Sequence, residues 1–365
     1  MNLYQASHQW ASRPADQRFT SLTELHDHAV SIREHSHAKC VSSRAIAAQP
    51  VDGDYKALQV VGPNGAPVNV SNWAFGQLAA RAGAPAGYLR DLPAPVAADC
   101  LNYGLQVARD VSDIGILLYK NGGEPELRAA TGPNYGRIWN SVITGALIQR
   151  FGDGVTGDFR VPGEFGKAVT VTKDNTTLYA SDRDMFVFLA DEQHRIEIPN
   201  RRDGQPGSMA RGFFVWNSEV GSATLGISTF LFDYVCCNRI VWGASDYNEV
   251  KIRHTSGAPD RWLEDVVPAI RSYANSSTGS ITKAIEDARA AKIGDHDAVN
   301  AFLAKRFTRS QVGAIQAAHK NDEGRPIETL WDAATGITAY ARGIQYQDDR
   351  VKLEREAGRV LDMVA

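Results

Sequence analysis

The pattern of hydrophobic and polar positions is most regular in the middle of the chain. Two apolar segments rich in β-branched and aromatic residues, 212–216 and 225–235, flank a mostly polar turn over 217–222. Such a pattern predicts two antiparallel strands joined by a hairpin. Charged residues interrupt the apolar run after the turn, so this stretch is not a membrane span and no membrane partner is expected.

Three polar residues lie at the turn of this hairpin. A hairpin that only fills a core has no need of Asn217, Ser218 and Glu219. Polar groups in apolar surroundings cost free energy unless they are hydrogen-bonded. These residues are therefore expected to be either members of a hydrogen-bond network or residues of a functional site.

The segments around the hairpin predict an α+β fold. Two further hairpins are predicted around the P-N-G turn at 63–65 and the N-G-G turn at 121–123, and a T-S-G-A-P-D segment at 255–260 marks a change to helical composition. We expect a mostly antiparallel central sheet with helices, followed by a helical C-terminal region. The predicted parts are a polar N-terminal helical segment over 1–50, an α+β sheet domain over 51–258 and a helical region over 259–365.

The C-terminal region carries more apolar side chains than a thin appendage can bury. They are Trp262, Val266, Ile270, Phe302, Trp331, Ile344 and Leu361. We expect this region to pack on the sheet domain or on a second copy of the chain, and the latter gives a homo-oligomer.

Composition and motifs narrow the function. The hydrophobic content of 43% suits a globular core, and the net charge of −3 does not favour duplex nucleic acid. The four cysteines lack C-x-x-C spacing and the N-terminus lacks a secretory pattern, so a cytoplasmic location is expected. No cofactor is expected, because P-loop, dinucleotide and G-x-S-x-G motifs are absent from the sequence. No metal is expected at the two H-x-H pairs of the first fifty residues, since positions i and i+2 do not share a helix face.

Three blocks of sequence resemble a known family. The longest is 211–243, and F-G-Q-L-A-A-R-A-G-A-P-A-G-Y-L-R-D-L (75–92) and T-L-W-D-A-A-T-G-I-T-A-Y-A-R (329–342) agree with it. Together they resemble the phage/plasmid-like proteins of the "domain of unknown function 932" family. The resemblance implies a mobile-element origin and assigns no chemistry.

Arginine residues cluster in and around a loop rich in Gly and Pro at 198–208, with aromatic residues nearby in sequence. Cations that follow a phosphate backbone and rings that hold unpaired bases are typical of single-strand binding proteins. The candidate residues for single-stranded DNA are Arg195, Arg201, Arg202, Arg211 and Arg239, with Trp216 and Trp242 available for stacking. The open alternative is that these rings belong to the core and that the loop arginines are solvated.

The function that follows is the binding or annealing of single-stranded DNA in recombination. The general plan resembles that of phage annealing proteins, which is an analogy of architecture. A protein of this class needs neither a nucleotide motif nor a catalytic triad, so an enzyme is not expected.

Two other hypotheses stay open at this point. A metal-dependent enzyme acting on nucleic acid needs convergent carboxylates, and Asp182, Asp184 and Glu219 are the candidates. The S-D-R-D segment at 181–184 is also typical of a hairpin turn, which would leave these carboxylates without a catalytic role. An interaction protein that acts on host defence or replication factors would leave no chemical signature in the sequence.

Overall fold

The structure is a computed structural model that describes residues 14–107, 113–162, 170–201, 204–233, 238–240, 249–344 and 347–364. It is an α+β structure, as the sequence predicts. The described strands are β1 (Arg18–Phe19), β2 (Ser36–Ser42), β3 (Ala47–Val51), β4 (Asp54–Val61), β5 (Pro67–Val70), β6 (Asp113–Tyr119), β7 (Glu126–Thr131), β8 (Phe159–Arg160), β9 (Leu178–Ala180), β10 (Met185–Asp191), β11 (Ile196–Ile198), β12 (Gly207–Asn217), β13 (Leu225–Asp233), β14 (Asn238–Ile240) and β15 (Glu249–Ile252).

Helices lie between the strands and make up the C-terminal region. The described α-helices are α1 (Leu22–Glu34), α2 (Asn72–Arg81), α3 (Ala86–Asp91), α4 (Ala94–Val107), α5 (Asn140–Phe151), α6 (Ala258–Arg261), α7 (Val267–Asn275), α8 (Gly279–Ala290), α9 (His296–Ala304), α10 (Arg309–Glu323), α11 (Leu330–Arg342) and α12 (Gln347–Leu361). A π-helical segment, Trp262–Val266, joins α6 to α7. Among the described residues, no helix is both long and apolar enough to cross a lipid bilayer.

The strands form two sheets rather than one central sheet. Nine of the described strands make a large antiparallel sheet of order β1-β9-β10-β12-β13-β14, in which β8 pairs with β10, β11 with β12 and β15 with β13. The other six make a small sheet of order β2-β6-β7-β5-β4-β3, in which β5 and β7 run parallel. Each sheet has its own helices and its own core clusters, and the expected antiparallel pairing predominates in both.

The predicted hairpin is confirmed as part of the large sheet. Strands β12 and β13 are adjacent and antiparallel, with Trp216 opposite Gly226, and residues 218–224 connect them. Gly221 has a φ of 83°, which glycine adopts without steric cost.

Residues 14–50, the described part of the first fifty, differ from the prediction of a helical segment. Helix occurs over Leu22–Glu34, but Ser36–Ser42 and Ala47–Val51 are strands of the small sheet. Strand β2 pairs along its whole length with β6, and β3 pairs with β4. These long-range pairings determine the conformation, and a local pattern does not contain them.

The large sheet is covered on one face by helices. Its alternating residues Val187, Phe213 and Val215 pack with Leu25 of α1 and Trp262 of the C-terminal region in one core cluster. The opposite face carries a second, mostly aromatic cluster, as the two-residue period of a strand requires.

The remaining C-terminal helices pack around the other end of the hairpin. Met209 and Leu231 lie in one core cluster with Trp331, Ile337 and Leu361. The C-terminal region therefore packs on the large sheet, which is one of the two arrangements expected from its apolar side chains.

Candidate functional site

The turn of the β12–β13 hairpin is held by residues of the small sheet and its helices. Two side chains of α2, Trp73 and Gln77, donate hydrogen bonds to the backbone carbonyl of Val220, at 3.0 Å from Nε1 and 2.8 Å from Nε2. Gln77 also accepts the N–H of Ala130 in β7 at 2.8 Å. The turn therefore joins the two sheets through polar contacts.

A second set of contacts holds the same turn from the segment before α5. The Tyr135 hydroxyl donates to the Ser218 carbonyl at 2.7 Å, and Arg137 Nε donates to the Glu219 carbonyl at 3.0 Å. Ser218 Oγ in turn donates to the Arg183 carbonyl at 2.6 Å. Burial leaves these backbone groups no water, so protein donors and acceptors must satisfy them.

Glu219 is the charged centre of this arrangement. Its side chain is 2% exposed, its Oε1 accepts the backbone N–H of Asn140 at 2.9 Å and its Oε2 lies 3.5 Å from Arg128 Nη1. Burial raises the pKa of the Glu219 carboxyl, and Arg128, the Asn140 N–H and Arg137 oppose that increase. Burial also raises the pKa of nearby Glu126. Perturbed carboxyl groups of this kind are common at functional sites.

Asn217 completes the network. Its Nδ2 donates to the Ile138 carbonyl at 2.8 Å and to Asn140 Oδ1 at 2.7 Å. The three polar residues singled out at the hairpin turn are thus members of a hydrogen-bond network, the first of the two roles expected for them.

Guanidinium groups lie over aromatic rings around this turn. The distances from the guanidinium carbon to the ring centroid are 5.6 Å for Arg33 over Trp139, 5.7 Å for Arg137 over Trp139, 5.5 Å for Arg183 over Trp73 and 5.9 Å for Arg128 over Tyr119. Seven separate segments of the chain contribute to the cluster. We call it the junction site and define it as Arg33, Trp73, Tyr119, Arg128, Arg137, Trp139, Arg183 and Glu219.

Arg33 and Arg183 differ from the other two arginines of the junction site. Arg128 and Arg137 contact Glu219. Within the described part of the chain, the guanidinium groups of Arg33 and Arg183 have no hydrogen-bond or carboxylate partner, and their contact is the tryptophan ring. Arg33 is exposed and Arg183 is half-buried, so both can reach a ligand from solution. A cation–π contact orients a guanidinium group and leaves its N–H donors available for an anion.

The arginines predicted from the sequence to bind DNA are placed differently. Arg201 is buried, and it forms ion pairs with Glu323 and Asp233 at 2.5 Å and 2.9 Å. Arg211 is also buried, where it pairs with Asp191 at 3.0 Å and donates to carbonyls at the C-terminal end of α7. The prediction that these two side chains face DNA was wrong, because buried carboxylates and helix carbonyls use their donors.

The other predicted DNA-binding residues do not make a surface with them. Trp216 is 1% exposed in the aromatic cluster of the large sheet, so it cannot stack on a base. Arg195 pairs with the buried Glu192. Arg239 lies opposite Phe232 in strand β14, and its side chain is outside the described residues. Arg202 and Trp242 also lie outside the described residues.

The three carboxylates of the metal hypothesis do not form a ligand set. Asp182 is exposed, Asp184 is buried and accepts from Ser181 Oγ at 2.8 Å, and Glu219 is held by Arg128. In the ranges that the structure describes, no group of three or more His, Cys, Asp or Glu could hold a metal ion. The 181–184 segment is a turn, in which Ser181 N donates to the Asp184 carbonyl at 2.8 Å.

The junction site could not be found from the sequence as a cluster. Its members lie between residues 33 and 219 and meet only through the docking of the hairpin turn. The one signal present was the polar character of Asn217, Ser218 and Glu219 within an apolar hairpin.

Comparison with protein-family models gives a match. A family model described as "Domain of unknown function (DUF932)" matches residues 170–358, which include the hairpin and its turn. No curated protein and no solved structure matches the chain.

Proposed function

The chain belongs to the DUF932 family, whose model matches residues 170–358 of its 365, and we propose that it binds single-stranded DNA at the junction site. The observation that carries the proposal is the pair of guanidinium groups, Arg33 and Arg183, that lie over tryptophan rings without carboxylate partners among the described residues. An arginine side chain in this state is suited to bind a phosphate with two parallel hydrogen bonds.

Aromatic residues favour a single strand over a duplex. Trp73, Tyr119 and Trp139 are each half-buried, so part of each ring is accessible at the junction site. Unpaired bases stack on such rings with little sequence preference, whereas the bases of a duplex are not available for stacking. The net charge of −3 also lacks the broad positive field that duplex binding uses.

Annealing requires two strands to be brought together, and we propose that the protein acts as a homo-oligomer in the cytoplasm. Support comes from α4, which exposes Val96, Cys100, Tyr103 and Val107. These residues follow the four-three-four spacing of a helix–helix seam. Light scattering should give a mass above that of one chain, and Tyr103→Glu should reduce it. A single-chain mass for the unaltered protein at micromolar concentration would contradict this part of the proposal.

The proposal is tested by fluorescence anisotropy with a labelled single-stranded DNA of about twenty nucleotides, a length that covers one to several binding modules. The double variant Arg33→Ala with Arg183→Ala should weaken binding by about tenfold or more, since two charge-assisted contacts are lost. The matched control is Arg261→Ala with Arg309→Ala, which removes two exposed arginines of the helical region. This control should bind like the unaltered protein.

Duplex DNA and single-stranded RNA of the same sequence complete the experiment. We expect weaker binding to the duplex than to single-stranded DNA. Tighter binding to the RNA than to the DNA would mean that RNA is the ligand of the junction site. Equal affinity of both double variants for single-stranded DNA, or no binding at low salt, would overturn the proposal.

A further inference from the structure

A groove in the small-sheet half of the molecule lies apart from the contacts of the junction site. It is bounded by strands β4 and β5, the N-terminal half of α2, α3 and the start of α4, and its volume is about 410 Å³. A volume of this size is in the range of small-molecule sites. The residues that matter for its chemistry are Lys56, Asn69, Asn72, Phe75, Arg90 and Leu92.

Two cations line the groove, and neutral oxygen atoms hold both. Lys56 Nζ donates to the backbone carbonyl of Asp91 at 3.1 Å. Arg90 donates from Nε to Asn72 Oδ1 at 2.8 Å and from Nη2 to the Asn72 carbonyl at 2.9 Å. These contacts fix the positions of the cations without neutralising their charge, and Arg90 Nη1 stays available to an anion.

The nearby carboxylate of Asp54 is used by the backbone. Asp54 Oδ1 accepts the N–H groups of Lys56 and Ala57 at 2.8 Å and 3.2 Å. The Asp54 carboxylate therefore stabilises the start of β4. Between these two described residues there is no ion pair, so the charge of Lys56 is not neutralised by Asp54.

Part of the groove lining is apolar. The Phe75 ring lies 5.2 Å from the Arg90 guanidinium carbon, and Leu89 and Leu92 line the groove beside it. Asn69 is exposed in the same groove and offers an amide donor and an amide acceptor. A ligand that matches this lining has a flat ring with hydrogen-bonding edges joined to an anionic group.

We propose that this groove binds a nucleoside 5′-phosphate, with the phosphate on Lys56 and Arg90 and the base against Phe75 and Leu92. The ligand is either a free nucleotide or one nucleotide of a single strand, since both present the same chemistry. Helix α2 carries residues of both sites, with Asn72 in the groove and Trp73 at the hairpin turn. The inference stands on the groove alone and does not rest on binding at the junction site.

Isothermal titration calorimetry with deoxyadenosine 5′-monophosphate tests the proposal on the full chain. The unaltered protein should bind it, and Lys56→Glu should weaken binding by about tenfold or more because a phosphate contact becomes repulsive. Ala57→Phe places a larger side chain in the lining of the groove and should also weaken binding, because it reduces the space for the nucleotide. The matched control Lys283→Glu reverses an exposed lysine of α8 and should bind normally. Thermal melting of each variant verifies that it is folded.

Titrations with fragments of the nucleotide measure what the phosphate and the nucleoside each contribute to binding. Inorganic phosphate and deoxyadenosine should each bind at least about tenfold more weakly than the nucleotide, since each makes only part of the contacts. Displacement of the nucleotide by a short single strand supports a strand as the source, and retention of it supports the free nucleotide. No binding of the nucleotide, or equal binding by the Lys56→Glu variant, overturns the proposal. The Arg33→Ala, Arg183→Ala protein should keep nucleotide binding, so failure at the junction site is distinguishable from failure at the groove.

Discussion

Arg201 Nε donates a hydrogen bond to Glu323 Oε1 at 2.8 Å and thereby joins two residues that are 122 positions apart. The contact links the segment after β11 to the last turn of α10. The same guanidinium group pairs with Asp233 at the end of β13 and lies 5.6 Å from the Trp331 ring centroid. An arginine expected at a DNA-binding surface is thus a buried connection between the large sheet and the C-terminal helices.

Removal of Arg201 should destabilise the protein strongly. Arg201→Met keeps much of the side-chain volume but removes the ion pairs that the guanidinium group makes with the buried carboxylates of Glu323 and Asp233. We expect the free energy of unfolding to fall by about 3–5 kcal/mol, as for other buried pairs that lose one partner. Urea denaturation followed by circular dichroism measures this change.

The control for this prediction is Arg261→Met. Arg261 pairs with Asp265 across one helical turn, and both side chains are about half exposed. Solvent screens such a pair, so the loss should stay below about 1 kcal/mol. Equal effects of the two substitutions would show that the Arg201 contacts add little to stability.

His319 should make the stability depend on pH. Its side chain is fully buried between α10 and α11, and burial lowers its pKa below the ordinary value. Asp332, whose Oδ1 lies 3.9 Å from Nε2, and Glu323 act in the opposite direction, while Arg325 and Arg201 add to the lowering. As the pH falls through about 6.5, His319 binds a proton in the unfolded chain but not in the folded chain. The contribution of His319 to the stability of the folded state is therefore complete above this pH and is lost as the pH falls below it. The slope from this residue is at most about 1.4 kcal/mol per pH unit.

The variant His319→Gln isolates this effect. His28 and His254 also have lowered pKa values because of burial, but they contribute equally to both proteins. The difference in unfolding free energy between the two proteins should therefore shrink as the pH is lowered from 7.5 to 5.5. A difference that stays constant across this range would mean that His319 does not titrate on unfolding.

The parts of the fold that could be predicted from the sequence are those set by local patterns. The period-two alternation around the hairpin determines that Phe213 and Val215 share one face and Phe214 and Trp216 the other. The partners of Arg201 could not be predicted, because Glu323 and Asp233 become neighbours only when the helices pack on the sheet. Arg211 did carry a local signal, since the apolar segment 212–216 follows it directly, and it lies within β12, where residues 209–217 are all buried. For the junction site, the sequence predicted a role for the hairpin turn but not the arginines that meet there.

Close packing between Gly226 and Trp216 should appear as energetic coupling. These residues are directly opposite each other on β13 and β12, and a methyl group at Gly226 would overlap the Trp216 indole. Gly226→Ala should cost at least about 1–3 kcal/mol through overpacking. In a Trp216→Leu background the same substitution should cost at least about 1 kcal/mol less, since the smaller side chain leaves room. Denaturation of the four proteins of this cycle measures the coupling.

Gly313 provides the control for this cycle. It lies in helix α10, and a methyl group there would meet no neighbouring atom. Gly313→Ala should be neutral or stabilising by up to about 1 kcal/mol, as expected for alanine in an exposed helix. Additive effects of Gly226→Ala and Trp216→Leu would contradict the predicted overlap.

The salt dependence of DNA binding should separate charge from geometry at the junction site. Each phosphate contact on a single strand contributes about 0.7 to the slope of log affinity against log salt concentration. Arg33→Ala with Arg183→Ala should therefore reduce the slope by about 1.4. Arg33→Lys with Arg183→Lys keeps both charges but loses the planar guanidinium groups that lie over Trp139 and Trp73. We expect this lysine variant to keep the slope of the unaltered protein and to bind more weakly. Anisotropy titrations between 50 and 300 mM salt measure both the affinity and its salt slope. An unchanged slope in the alanine variant would mean that Arg33 and Arg183 do not contact the phosphates of the strand.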